Sequence, residues 1–222
     1  MAKQKLYRYN AIVDLPNTLE KKNYKLGDYA DVRGKWNEIV FKNEQPIVLE
    51  LACGAGDYSI ALAQRYSQKN YIAMDIKGDR LYKGAKFAFD HDINNVRFFR
   101  ASIDHITNYF AEGEVSEIWI TFPDPYLSET KKKKRLTHDK FLNFYREILK
   151  PESYINLKTD SQELYLFTKE TIAENDLIIK EDVSDIYAEK HIPDLTDIQT
   201  YYEKMHLRDG RKITYLRFRF PN

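Results

Sequence analysis

The chain has 222 residues, 43% of them hydrophobic and 14% aromatic, which suits one large α/β domain with a sizeable core. No apolar run approaches the roughly 20 residues of a membrane span, and no apolar stretch follows the charged N-terminus as in a secretory signal, so a cytoplasmic protein is expected. The single cysteine, Cys53, excludes an internal disulfide, and a formal net charge of +1 excludes a uniformly basic surface.

Residues 1–45 come first, basic and aromatic, with little hydrophobic period before Tyr29. They read as an N-terminal arm with a lead-in helix, ordered or partly mobile, ahead of a single domain at 46–222. From Ile47 onward short apolar runs alternate with helix-like segments. Strands are expected near 46–51, 70–75, 95–100, 116–122 and 153–158, and helices over 57–67, 78–89, 104–110, 137–149 and 161–174. This alternation predicts an α/β fold built on a doubly wound, mostly parallel sheet. The 137–149 helix has Thr137 as its N-cap, Phe141, Phe144, Tyr145, Ile148 and Leu149 as its apolar face, and Pro151 past its end. Over 212–220 the alternation from Leu216 predicts a half-exposed edge or antiparallel strand.

The first of these runs, Ile47-Val48-Leu49-Glu50-Leu51, breaks into Ala52-Cys53-Gly54-Ala55-Gly56, so an apolar strand ends in an acid and a glycine turn. Glycines let backbone approach a ligand closely, and nucleotide-type cofactors sit over such strand-to-helix turns. Glu50 narrows the choice. A carboxylate at the strand tip repels the pyrophosphate of a dinucleotide but favours the ammonium and sulfonium of S-adenosylmethionine. A second acid, Asp75, closes the run Tyr71-Ile72-Ala73-Met74, at the spacing of one strand-helix-strand unit with an acid on ribose hydroxyls. Ser59 stands where a dinucleotide fingerprint has its third glycine. An ordinary strand and turn would account for the glycines alone. Together with the two acids, Gly54 and Gly56 look like motif I of class I methyltransferases, with Ala52 at that motif's usual first glycine. Cys53, inside the turn, reads as a small buried filler rather than a nucleophile.

The fourth expected strand ends in Trp119-Ile120-Thr121-Phe122-Pro123-Asp124-Pro125-Tyr126. Ligands of open parallel sheets sit at the carboxyl ends of strands, so Asp124 is expected to share a crevice with Glu50 and Asp75. A solvated Asp-Pro turn is the plainer alternative. Two prolines stiffen the loop, however, as a positioning residue requires. Residues 129–150 then hold eight Lys or Arg against three acids, and the C-terminal stretch adds Arg208, Arg211, Lys212, Arg217 and Arg219. Local basic patches on a near-neutral chain suit a polyanionic partner. The five histidines are scattered and read as surface or core residues, and no Cys/His cluster has metal-ligand spacing, so no metal is expected.

From about Ile47 to the C-terminus the chain resembles the bacterial tRNA (guanine-N7-)-methyltransferases. Four pieces carry the resemblance in order: Glu50 to Gly56; Phe122-Pro123-Asp124-Pro125-Tyr126 with Lys133-Lys134-Arg135-Leu136-Thr137-His138; Lys158-Thr159-Asp160; and Thr200-Tyr201-Tyr202-Glu203. It implies a class I S-adenosylmethionine-dependent methyltransferase fold, tRNA as partner, and a target guanine in the variable loop. By position the cofactor site would include Glu50, Asp75, Ser102 and Asp124, and substrate contacts would fall on Asp160 and on Thr200 to Glu203, Tyr202 among them. Three positions depart from the family pattern: Tyr126 stands for the usual Trp, Ser128 for a Lys, and Ser102 for Asp or Asn. The basic function is therefore expected in Lys131, Lys132, Lys133, Lys134 and Arg135, as phosphate contacts.

Guanine N7 has a lone pair and no proton, so methylating it requires alignment and negative potential rather than a general base. Asp124 is the expected catalytic acid, with Asp160 and Glu203 as further acids facing guanine's donors. Two other classes compete. Asp124-Pro125-Tyr126 approaches the Asp-Pro-Pro-Tyr loop of enzymes that methylate exocyclic amines or glutamine amides, and an RNA-binding module with a decayed cofactor pocket is the non-enzymatic reading. The sequence leaves monomer and homodimer open, and it leaves residues 1–45 as either an ordered arm lying on RNA or a partly mobile tail.

Overall fold

In the computed structural model, which describes residues 2–20, 31–188 and 191–221, the apolar runs pair into one eight-stranded sheet. Its strands are β1 (Thr18–Leu19), β2 (Ile47–Leu51), β3 (Asn70–Asp75), β4 (Val96–Arg100), β5 (Val115–Thr121), β6 (Leu149–Thr159), β7 (Ile178–Val183) and β8 (Thr214–Arg219), in the order β1-β4-β3-β2-β5-β6-β8-β7. The pairs from β1 to β6 are parallel, and β8 runs antiparallel to both β6 and β7. The expected doubly wound sheet with an antiparallel C-terminal strand is therefore present. Strand order reverses between β2 and β5, which opens a crevice at their carboxyl ends.

The helices are α1 (Ala2–Ala11), α2 (Asp57–Arg65), α3 (Gly78–Asp90), α4 (Asp139–Ile148), α5 (Gln162–Glu174), α6 (Pro193–Thr196) and α7 (Tyr201–Arg208). Alternate residues of each strand supply two cores. On one face Leu49, Leu51, Ile72, Met74 and Phe99 meet Phe141, Tyr145 and Leu164 of α4 and α5. On the other, Val48, Tyr71, Ala73, Phe98 and Trp119 meet Tyr58, Leu62, Leu81 and Ala85 of α2 and α3. Glu50 falls on this second face by alternation.

Several expectations change. The 104–110 helix is a run of short 3₁₀ turns, Ile103–Asn108, because His105 takes non-helical dihedrals (φ −118°, ψ 23°) within it. Thr137 does not cap α4. Its hydroxyl is buried against that of Thr168 at 2.8 Å, and the His138 ring accepts from the Lys140 amide instead. β8 is interior rather than an edge, with β7 outside it. Residues 21–30 of the expected arm lie outside the described residues, but both flanks join the fold. β1 pairs with β4, and Trp36 is fully buried with its indole donating to the Tyr109 carbonyl at 2.9 Å.

Candidate active site

The glycine turn follows β2 directly. Ala52, at the motif's first position, has φ 55°, and Gly54 and Gly56 have φ 62° and 73°. All three lie in the left-handed region, which costs a non-glycine residue roughly 1 kcal/mol. A Cβ built on Gly54 would meet nothing within 4 Å, so the turn leaves open space for a ligand there, whereas at Gly56 it would strike Phe98 at 2.8 Å. Gly84 on α3 was not singled out by sequence reasoning. A Cβ there would come within 1.7 Å of the Ala55 carbonyl oxygen, so this glycine lets α3 rest on the back of the turn.

Glu50 is 3% exposed and lies between α2 and β5. The Ser59 amide and hydroxyl donate to its Oε2 at 2.8 and 2.6 Å, and the Thr121 hydroxyl donates to Oε1 at 2.8 Å. Burial pushes its carboxyl up to about 7, against the lowering effect of these hydrogen bonds. Asp75 ends β3 with Oδ2 accepting from the Gly54 amide and Oδ1 from the Lys77 amide, both at 2.9 Å, and its pKa is also raised by burial. The second acid thus holds the glycine turn in place. Burial and the neighbouring charges of Glu50 and Asp75 raise the Cys53 thiol well above its ordinary value, which suppresses the thiolate and matches the reading as filler.

Ser102 follows β4 on the same edge of the sheet and caps the next turn, accepting from the Asp104 amide. Asp124 projects from the loop after β5. It is exposed, with no hydrogen bond or ion pair among the described residues. Phe122 and Tyr126, on either side of it, have φ 48° and 44°, a strained pair of left-handed non-glycine residues. The Phe122 amide donates to the Lys158 carbonyl at 2.8 Å, which ties the loop's entry to β6.

The remaining candidates divide. Lys131, Lys133 and Lys134 are exposed in the turn after the loop, with Lys132 half-buried and 2.7 Å from Glu129. Arg135 is not with them. It is 1% exposed, so it offers no surface to a phosphate in this conformation. Asp160 accepts from Arg211 at 2.7 Å and lies 3.4 Å from His206, whose ring stacks on Phe122. Nothing in the sequence around His206 marks it for this site, and only the packing of α7 brings it to the crevice. Thr200 caps α7 by accepting from the Glu203 amide at 3.2 Å.

Glu203 is fully buried. The Lys158 ammonium, also fully buried, sits 2.7 and 2.8 Å from its two oxygens and donates to the Leu195 and Ile198 carbonyls. The Tyr187 hydroxyl donates to Glu203 Oε1 at 2.8 Å. Burial lowers the Lys158 pKa, with Glu203 opposing the shift. Of the Thr200–Glu203 segment, then, only Tyr201 and Tyr202 reach solvent, and the Arg80 guanidinium lies 5.8 Å from the Tyr202 ring centroid. The segment meets the helix that follows the glycine turn through the Tyr201 amide, which donates to Asp57 at 3.3 Å. Arg217 and Arg219 lie on β8 beside Glu181 and Glu152, away from this edge.

Among the described residues no cluster of His, Cys, Asp and Glu could hold a metal, and no helix is long and apolar enough to cross a membrane. A family model described as "Putative methyltransferase" matches residues 44–216. The chain is 41% identical over 220 residues to a tRNA (guanine-N(7)-)-methyltransferase of Christiangramia forsetii, covering 98% of each chain. It is 40% identical over its whole length to one from Bacteroides thetaiotaomicron, covering 87% of that relative. Among solved structures, a 30S ribosomal A1408 methyltransferase from an uncultured bacterium superposes with a TM-score of 0.60 at 19% identity, over 82% of this chain and 91% of that one. A SAM-dependent methyltransferase from Aquifex aeolicus gives a TM-score of 0.54 at 15% identity, over 95% and 97% of the two chains. These two likenesses concern the fold. With the acid-tipped glycine turn, the Asp-Pro loop and full-length relatives in agreement, the chain belongs to the tRNA (guanine-N(7)-)-methyltransferase family.

Proposed function

We propose that this protein methylates N7 of a guanine in the variable loop of tRNA, with S-adenosylmethionine as methyl donor, in the cytoplasm. The observation that carries the reading is the buried Glu50 carboxylate beneath a turn whose Gly54 leaves open space for a ligand. Glu50 supplies negative charge for an ammonium, Asp75 an acceptor for ribose hydroxyls, and Gly54 and Gly56 the close backbone approach. Ser102 would border the same pocket.

S-adenosylmethionine supplies a methyl group on a sulfonium, whose departure returns the C–S electron pair to sulfur. The guanine N7 lone pair forms the new C–N bond, so no proton is transferred and positive charge arrives on the purine. Asp124, unpaired and exposed at the crevice, answers that charge electrostatically and can accept from guanine N1–H and the exocyclic amine. Asp160 is a second acid for the same donors, though shared with Arg211. Lys131, Lys132, Lys133 and Lys134 meet phosphates of the tRNA, with the basic arm of residues 1–45 as additional surface. Tyr202 presents a ring at the crevice mouth, while Thr200 and Glu203 serve by fixing it there.

The test is incubation of purified protein with unmodified tRNA and labelled S-adenosylmethionine, followed by nucleoside identification. The expected product is 7-methylguanosine. An N6-methyladenosine or N2-methylguanosine product would establish exocyclic-amine chemistry instead, and no cofactor binding by calorimetry would favour the non-catalytic module.

A further inference from the structure

Arg135 closes the basic run Lys131–Arg135, yet its guanidinium is turned into the protein. Its Nε donates to the Pro125 carbonyl at 2.9 Å and one terminal nitrogen donates to the Tyr126 carbonyl at 3.1 Å. The same nitrogen meets Glu163 Oε1 on α5 at 2.6 Å, and the guanidinium lies 4.6 Å from the Phe167 ring centroid. Pro125 and Tyr126 immediately follow Asp124. Tyr126 is left-handed at φ 44°, a conformation that persists only where surroundings hold it.

We infer that Arg135 is a positioning residue: its fork holds the exit of the Asp124 loop against α5, fixing the aspartate at the crevice, and it makes no contact with tRNA phosphates. The inference rests on the proposed guanine methylation and deepens it. The loop is pinned at two points, the Phe122 amide on the Lys158 carbonyl at entry and the Arg135 fork at exit. Between them Asp124 has no partner among the described residues, so its placement follows from how the loop is held on either side of it. A planar guanidinium can bind two carbonyls and a carboxylate together, and the lysine point charge cannot reproduce that geometry. Displacing a reacting group by about 1 Å costs on the order of 100-fold in rate, so loss of the fork acts on the chemical step while the exposed lysines go on binding RNA.

The test compares wild type, Arg135→Gln and Arg135→Lys in single-turnover methylation with tRNA and S-adenosylmethionine both saturating. tRNA affinity is measured in parallel across a salt series. The expected result for Arg135→Gln is a rate lower by roughly 10- to 100-fold, with tRNA affinity and its log-log salt slope as in wild type. Replacing Lys131 to Lys134 by Gln should instead lower the magnitude of the slope by about 2–3 units, if about three of them engage phosphates. Arg135→Lys, which keeps the charge beside Glu163, should lie between wild type and Arg135→Gln in rate, and it carries the test should Arg135→Gln fail to fold. A slope lowered by about one unit in Arg135→Gln would make the residue a phosphate contact and overturn the inference. So would a wild-type saturated rate in either variant. A wild-type protein that leaves guanine N7 unmethylated fails the functional reading instead, and the nucleoside analysis tells the two apart.

Discussion

Removing the buried ammonium by Lys158→Met should leave Glu203 as an uncompensated charge in the core. Both side chains of the pair are fully buried, and the remaining partner of Glu203 is the Tyr187 hydroxyl. Breaking such a pair typically costs about 3–5 kcal/mol. The expected loss for Lys158→Met is therefore about 3–5 kcal/mol, or roughly 6–20 °C in Tm for a chain of this size. Lys158→Met/Glu203→Gln removes the uncompensated charge and should retain only about 1–2 kcal/mol of the loss, from the two carbonyls left without a donor. Chemical denaturation of wild type and the two variants reads both values. A Lys158→Met penalty below about 1 kcal/mol, or a double variant no more stable than Lys158→Met, would refute the burial argument.

Cofactor affinity should rise about tenfold between pH 6 and pH 8, because ionised Glu50 is the form that meets an ammonium and burial places its titration at about 7. Glu50→Gln should flatten this calorimetric profile and also remove a stability contribution that is complete below about pH 4.3 and lost as pH rises through about 7. Ala52→Gly should raise stability by roughly 1 kcal/mol in thermal unfolding, since the residue at φ 55° no longer carries a Cβ, and an unchanged or lower Tm contradicts the assigned strain. Asp124→Asn should lower the single-turnover rate by on the order of 100- to 1,000-fold with little change in Tm, and a wild-type rate removes Asp124 from the chemistry.

The acid-tipped glycine turn was legible because its signal is local: a short apolar run, a carboxylate and glycines in consecutive positions, repeated in part at Asp75. The central strands β2 and β3 were legible for the same reason, both being runs of buried residues on both faces. β7 was missed because Lys180, Glu181 and Asp182 interrupt the apolar period of an edge strand. β1 has only two residues and depends on β4 for its pairing. Arg135 looked like the lysines before it, and nothing in its own neighbourhood signals that carbonyls of residues 125 and 126 and a carboxylate of residue 163 converge on it. Thr200 and Glu203 did carry a readable signal, Thr-x-x-Glu at a helix start, which is the pattern of a capping box. Thr200 caps as that pattern predicts, while the Glu203 side chain is drawn to Lys158, a partner 45 residues away in sequence.

The claim that N7 is the nucleophile is tested most directly by changing that one atom. Two transcripts of one tRNA are compared, one natural and one with 7-deazaguanine at the variable-loop guanine, where a C–H replaces the N7 lone pair and every Watson–Crick donor is kept. With the purified protein and labelled S-adenosylmethionine, the natural transcript should take up about one methyl group, at that guanine, and the deaza transcript none. Equal incorporation into both would place the methyl group on an atom other than N7 of that guanine and contradict the account.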